Sequence, residues 1–204
     1  VAVFLAATMK FDGYVLNILM QAATYSVAVF GLSVVLGLCG QINLAQAAFF
    51  GVGAYAVGLG TTDAHIHFWI CLVIGMVVSL AFGAVLGAST LRLGGHYLAM
   101  GTLGFNAIIG VLFVELVPLT GGPNGLIGIE PFGISGFWLD TPGRFFFLAW
   151  AIGFVVMFFV LNLVSGPIGR NLRAVAGSEA VADTLGIDTV RLKIALFSLS
   201  AALA

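Results

Sequence analysis

Long apolar runs alternate with short polar stretches along the whole sequence. None of the runs shows the period-two alternation of a membrane-spanning strand, and most approach the roughly 20 residues with which a helix crosses a bilayer. Backbone groups inside lipid must be hydrogen-bonded within the protein, and a helix achieves this within its own segment. We therefore predict an all-α, polytopic transmembrane helix bundle that forms a single domain over 1–204. The runs are Tyr14–Cys39, Leu44–Gly60, Phe68–Thr90, Tyr97–Leu119, Phe145–Val164 and Leu192 onward.

The second run differs from the others because it is short and opens on polar residues. Glycines stand at 51, 53, 58 and 60, and the polar entry consists of Gln41, Asn43 and Gln46. These features favour a broken or re-entrant element at 40–60, although a full span is the alternative.

Composition places the chain in a membrane. Hydrophobic residues make up 61% of the sequence and charged residues 7%, whereas soluble domains carry about 25% charged residues. The net charge of −1 gives no sign of a nucleic-acid partner. The sequence begins VAVFLAATM without an initiator Met, and its last apolar run is too short to cross a bilayer. We expect the natural protein to continue past Ala204.

The distribution of basic residues predicts which side of the membrane each loop occupies. Four of the seven lie in one polar segment, 165–193, which the positive-inside rule places in the cytoplasm. Counting spans backward from this segment puts the loop Thr120–Arg144 outside and Arg92 inside. The loop is rich in Gly and Pro, and we expect turns in it and a short interfacial helix around Trp138. Lys10 is outside if 40–60 crosses the membrane. If that element returns to its starting side, Lys10 is inside and six of the seven basic residues obey the rule.

The 165–193 stretch predicts two short helices and the start of a third. Pro167 suits a first helical turn, Ser178 and Asp188 suit N-caps, and Gly186 suits a helix end. One apolar face is predicted from Ile168, Leu172 and Val175, and a smaller one from Val181, Ala182 and Leu185. Such short helices are marginal in water unless they dock. The stretch is therefore either an amphipathic loop on lipid headgroups or a docking element for a soluble partner.

Several polar residues lie near or within the spans, where an unpaired polar group is costly. They form either interhelical hydrogen bonds or a translocation path for a polar solute. The residues are Gln41, Asn43, Gln46, Thr102 and Asn106. A second stripe, of small residues, predicts close helix packing. It consists of Gly75, Ser79, Gly83 and Gly87.

Catalytic and cofactor sites are not expected. The spans contain no His or Asp and only Glu115 as an acid, so an intramembrane enzyme lacks its acid–base pair. The alternating Asp63, His65 and His67 have no further ligand nearby and are interpreted as a loop, so we predict no metal site. No G-x-x-x-x-G-K-[ST] motif is present, so any ATP must bind to another chain.

Five stretches of the chain match family motifs with few differences: 40–55 matches G-Q-x-S-L-G-H-A-A-F-F-G-x-G-A-Y, 97–105 matches Y-L-A-x-x-T-L-G-F, 119–126 matches L-T-G-G-P-N-G-L, 167–174 matches P-I-G-R-x-L-R-A and 185–187 matches L-G-I. Together they resemble one family, the LivM-type permease subunits of branched-chain amino acid ABC transporters. In the 165–193 stretch, Ala182 and Gly186 fit the spacing of the coupling loop of ABC importers, while Val181 replaces its first Ala and Glu179 stands one residue early. The family departs from this chain at Asn43, Ala45, Gln46, Gly94 and His96, which leaves the substrate open between branched-chain amino acids and urea or short amides.

The resemblance implies a transport subunit of a bacterial or archaeal plasma (inner) membrane, with no cofactor of its own. Its partners would be a second permease, expected as a heterodimer, two cytoplasmic ABC ATPases and an external substrate-binding protein. An ATP-independent transporter or facilitator is the alternative. The ATPase-coupling residues implied are Pro167, Arg170, Arg173, Glu179, Ala182, Asp183 and Gly186. The residues implied in docking the binding protein are Gly121, Gly122, Pro123, Asn124 and Gly125.

Overall fold

A computed structural model describes residues 13–62, 64–90, 95–128, 133–134, 137–138 and 142–204. The sidedness predictions at Lys10 and Arg92 lie outside these residues. A 3-10 turn at Gly122–Asn124 and two paired two-residue strands, β1 (Gly133–Ile134) and β2 (Phe137–Trp138), accompany the helices. The helices are α1 Gly13–Cys39, α2 Gln46–Thr62, α3 Phe68–Thr90, α4 Gly95–Glu115, α5 Val117–Thr120, α6 Pro142–Ser165, α7 Pro167–Gly177, α8 Glu179–Thr184 and α9 Thr189–Leu203.

Four helices, α1, α3, α4 and α6, are long and apolar enough to cross a membrane. The predicted all-α, polytopic bundle is therefore confirmed. The fourth span ends earlier than expected, at Glu115, because Pro118 lacks the N–H that a continuing helix needs. The interfacial helix expected around Trp138 is wrong: the backbone there pairs with Gly133 as a small antiparallel hairpin.

Helix α9 occupies the centre of the bundle, between α1 and α3, while α2 packs on α3 and α6 packs on α1. Small residues permit these close approaches. A Cβ on Gly83 would stand 2.6 Å from Ala201 Cβ, and one on Gly75 would stand 3.3 Å from the Gly53 carbonyl oxygen. The packing role predicted for this stripe is confirmed at these two positions. The buried cluster at the centre contains Val34, Val35, Ala45, Phe49, Val160, Leu172, Leu196, Phe197 and Ala201.

The element at 40–60 is broken, as predicted. After α1 ends at Cys39, a non-helical segment at 40–45 leads to Gln46, the first residue of α2, which contacts the middle of α1 and the second half of α9. The irregular backbone at this depth is covered by protein on one side, since Ala45 is fully buried and Asn43 nearly so, while Ile42 and Leu44 are exposed.

The element at 40–60 also crosses the bundle. Cys39 packs against the buried cluster that includes Leu172 of the 165–193 stretch, and α1 contacts α7, whereas Thr61, near the end of α2, lies with Phe145 and Ala204 at the opposite end. The re-entrant form that the sequence favoured, in which this element returns to its starting side, is therefore wrong, and the full crossing that was its alternative is observed. We call the end of the bundle opposite the 165–193 stretch the far side.

Candidate functional site

The side chain of Gln46 joins three helices at the middle of the bundle. Its Nε2 donates to the carbonyl oxygens of Ala28 in α1 (3.0 Å) and Ser200 in α9 (3.3 Å). Its Oε1 accepts from Asn43 Nδ2 and from Ser200 Oγ, each at 3.2 Å. Both donors and both lone pairs of this amide are thus used within the protein.

Asn43 and Thr102 fix the segment that precedes α2. The Ala45 amide donates to Asn43 Oδ1 at 2.9 Å, and the Leu44 amide donates to Thr102 Oγ1 of α4 at 3.1 Å. Asn43 is 3% exposed and Thr102 is fully buried, so neither presents a polar group to open space. The segment is therefore tied to α4 through Thr102 as well as to α1 and α9 through Gln46.

The five residues predicted as a translocation path are thus only partly brought together. Asn43, Gln46 and Thr102 form the interhelical hydrogen bonds that were their alternative role. Gln41 Oε1 is buried without a hydrogen-bond partner among the described residues, and Asn106 lies half-buried on α4. None of the five lines the two cavities described next.

A cleft opens on the far side, beyond the Gln46 network. Two adjacent cavities of about 390 and 240 Å³ share the lining residues Thr24, Phe50 and Phe145, and we call the pair the far-side cleft. Its polar edge is one face of α1, where exposed Asn17 and Gln21 stand one turn apart. The remaining lining residues are Met20, Tyr25, Gly53, Ala54, Val57, Gly58, Thr61, Phe68 and Ala204.

Sequence reasoning missed this cleft, although the spacing of Asn17, Gln21 and Thr24 at i, i+4 and i+7 was a usable signal. Three polar residues on one face of a membrane helix need water or protein opposite them. Only Thr24 meets that need within its own helix, by donating to the Met20 carbonyl oxygen at 3.0 Å.

Helix α7 is anchored along its inner face to α6 and α1. Leu172 and Val175 are buried as predicted, but Ile168 is 44% exposed because the first turn presents Gly169 inward instead. A Cβ on Gly169 would collide with the Val164 backbone. Of the predicted coupling residues on α7, Pro167 occupies the first turn, exposed Arg170 points away, and Arg173 Nη1 donates back to the Val164 carbonyl oxygen at 3.3 Å.

Helix α8 is held to the start of α9 by two polar contacts. Lys193, whose side chain is 10% exposed, pairs with Glu179, and Thr189 Oγ1 donates to Asp183 Oδ1 at 2.8 Å. Ala182 is fully buried beneath the helix.

The ends of these short helices form as the sequence predicts. Ser178 Oγ accepts from the Val181 amide at 3.4 Å, and Asp188 Oδ1 accepts from the Arg191 amide at 3.0 Å. Gly186 ends α8 with a φ of 79°, a conformation that favours glycine.

Two apolar side chains are exposed at α8. Val181 is 57% exposed and Leu185, which follows the last residue of the helix, is 70% exposed, whereas Ala182 is buried. The apolar face predicted from these three residues is therefore divided between the bundle and the surface.

The glycine-rich loop after α4 is tightly built. Thr120 Oγ1 donates towards the carbonyl oxygens of Phe113 and Leu116 and accepts from the Gly122 amide at 3.1 Å. Gly121, Gly122 and Gly125 all have positive φ, so this backbone requires glycine at those positions. Exposed Pro123 and Asn124 form the surface of the turn, at the far-side end of α4.

Across the described part of the chain, no three His, Cys, Asp or Glu side chains lie close enough to hold a metal ion. The geometry thus offers hydrogen-bonded anchors, an open cleft and a displayed helix. A family described as "Branched-chain amino acid transport system / permease component" matches residues 14–204. The chain belongs to this permease family.

Two curated relatives of the permease family are similar to the chain over most of its length. Both are described as "High-affinity branched-chain amino acid transport system permease protein LivM". The Salmonella typhimurium protein is 34% identical over 92% of the chain, and the Escherichia coli protein is 35% identical over 88%. The chain spans about half the length of these relatives, 50% and 48% respectively. No solved structure gives a significant match.

Family membership and the four apolar helices identify a multi-pass membrane protein. The broken element and α8 both lie within the matched residues.

Proposed function

We propose that this chain is the membrane-spanning subunit of an ATP-driven importer of branched-chain amino acids in a bacterial inner membrane. Its single domain, 1–204, pairs with a second permease, and an external binding protein delivers solute at the far side, where the 121–125 loop helps to dock it. Two cytoplasmic ATPases bind the part of the 165–193 stretch from Pro167 to Gly186 and supply the energy. Family membership and the relatives' printed descriptions support this reading.

The observation that carries the proposal is the construction of α8. A six-residue helix is too short to be stable in water alone, yet here Glu179, Asp183 and buried Ala182 fix its inner side to the bundle. Its outer side displays Val181 and Leu185. An apolar ridge on a rigidly attached helix is suited to a soluble partner that must push on the bundle.

Helix α9 supplies a path for that push. It is tied to α8 through Lys193 and Thr189, and it reaches the Gln46 network through Ser200. Movement of α8 is therefore transmitted along α9 to the junction of α1 and α2 in the middle of the bundle. Alternating access then follows from two arrangements of these helices, of which ATP binding favours one.

The ATP-independent transporter is the competing function. It would use a charged group inside the membrane as a relay. Glu115, the acidic residue that the sequence offered for this role, is the last residue of α4 and is exposed. Its position at a helix end fits contact with the membrane interface better than a relay at mid-membrane.

Purification of the full-length protein from its own membranes, with mass identification of the chains that accompany it, tests the proposal. We expect an ATPase pair, which is lost on Val181→Asp because a charge replaces apolar contact area. The matched control is Val190→Asp, since Val190 is equally exposed, at 55%, but lies on α9. A chain that purifies alone and moves leucine without ATP in liposomes would replace this proposal with a facilitator.

A further inference from the structure

The far-side cleft has the size and position of a solute site. Its larger part, about 390 Å³, lies within the range of 300–1,000 Å³ typical of small-molecule pockets. Thr61, Phe68 and Ala204 place its mouth at the far side of the bundle. Gln46 lies one helical turn before Phe50 on α2, so the hydrogen-bonded network forms the floor beneath the cleft.

The lining of the cleft divides into two chemical halves. The α2 and α6 walls are aliphatic and aromatic, with Phe50, Val57 and Phe145 at their centre. The α1 edge carries the Asn17 and Gln21 amides and the Thr24 hydroxyl. None of the described lining residues is charged. Such a cleft suits a small solute that has one apolar end, one polar end and no net charge.

The α1 face has a physical reason to meet solute and water instead of lipid. Asn17 and Gln21 are exposed on a helix that crosses the membrane, and an unpaired amide in hydrocarbon is costly. Gln46 shows that this bundle satisfies amides by hydrogen bonds where they are structural. The exposed amides of Asn17 and Gln21 lie beside a cavity instead, so their role is contact with solute and water and not structural attachment.

We propose that the far-side cleft is the solute site of this permease. The aliphatic side chain of the solute lies against Phe50 and Phe145, and its zwitterionic head meets Asn17 and Gln21. Asn43, Gln46 and Thr102 close the cleft from below and do not contact solute in this state. The inference rests on the proposed function for the solute class, but the site itself is tested separately.

Cysteine labelling of the full-length, assembled transporter tests the site. Gln21→Cys is treated with a membrane-impermeant maleimide from the far side, with Ala22→Cys as the matched control at the same depth. Ala22 is exposed on α1 but does not line the cleft. The parent chain sets the background. We expect Gln21→Cys to react and Ala22→Cys to stay unreactive, since maleimides need a hydrated thiol.

Protection by solute then identifies the ligand. Leucine at ten times its dissociation constant fills about nine-tenths of the sites and should slow labelling of Gln21→Cys by about tenfold. Urea at the same concentration should leave the rate unchanged, because it has no apolar end. Protection by urea instead of leucine would overturn the solute class.

Two further outcomes contradict the proposal. An unreactive Gln21→Cys in the assembled transporter means that a second permease covers this face. A reactive Gln21→Cys that leucine does not protect means that the cleft holds only water. Failure of the importer proposal can be told apart from failure of this site. In that case the parent transporter itself shows no ATP-dependent uptake.

Discussion

Two glutamine amides in this bundle, Gln46 at the start of α2 and Gln21 on α1, occupy opposite environments. Gln46 makes four hydrogen bonds to α1, to α9 and to the segment before α2. Gln21 is exposed at the edge of a cleft. We infer that polarity inside a membrane helix has two uses here, structural attachment at Gln46 and contact with a hydrated path at Gln21. Only the surroundings of a residue distinguish these uses.

The largest expected effect on stability comes from replacing each glutamine in turn with leucine, which removes its amide. Gln46→Leu leaves Ser200 Oγ and Asn43 Nδ2 without their shared acceptor and should lower the free energy of unfolding by about 2–4 kcal/mol. Gln21→Leu should change it by less than about 0.5 kcal/mol, because an exposed side chain loses few contacts. Denaturant unfolding of both variants in the same detergent measures the difference. Equal losses in the free energy of unfolding of the two variants would contradict the distinction between the two sites.

A smaller effect is expected from adding one methyl group in each region. Gly83→Ala would place its Cβ 2.6 Å from Ala201 Cβ, so α3 and α9 must separate, and stability should fall by about 1–2 kcal/mol. Gly53→Ala is the matched change in the cleft wall, where the nearest atom is Ser79 Oγ at 3.9 Å. It should be neutral or stabilising by up to about 1 kcal/mol. Thermal unfolding of the purified variants checks both, and a destabilised Gly53→Ala would show that the cleft wall is packed.

The smallest effect concerns the attachment of α8. Lys193→Met removes the partner of Glu179 and should weaken ATPase binding by about fivefold, equivalent to about 1 kcal/mol. Arg191→Met is the control, since the Arg191–Asp188 pair is exposed, and exposed pairs contribute little. Titration of the ATPase pair into permease-containing nanodiscs measures both affinities. Unchanged binding by Lys193→Met would mean that α8 is positioned without this pair.

The fold was largely predictable because the length of each hydrophobic run is visible in the sequence. Each predicted full-length span corresponds to a helix, and the caps at Ser178 and Asp188 form as their residue types indicate. The errors arose where backbone chemistry interrupts a pattern. Pro118 ends α4 early, and the backbone around Trp138 pairs as strands although a helix was expected.

The candidate site was less predictable because sequence does not show what lies opposite a polar residue. Asn43, Gln46 and Thr102 were recognised as significant, but their partners come from α1, α4 and α9, far apart in the chain. The Asn17–Gln21–Thr24 face has a clear helical period, yet its meaning depends on the cleft formed with α2 and α6. The role of either set in solute passage remains a prediction.

The central claim is that Gln21 serves transport and Gln46 serves structure. Leucine uptake per ATP hydrolysed, measured in proteoliposomes that contain the full-length permease and its partners, tests this claim most directly. We expect the Gln21→Leu transporter to assemble and hydrolyse ATP normally. Its leucine uptake per ATP hydrolysed should fall by about tenfold, which is the effect of one lost hydrogen bond to the solute. An unchanged ratio in a correctly assembled Gln21→Leu transporter would contradict it.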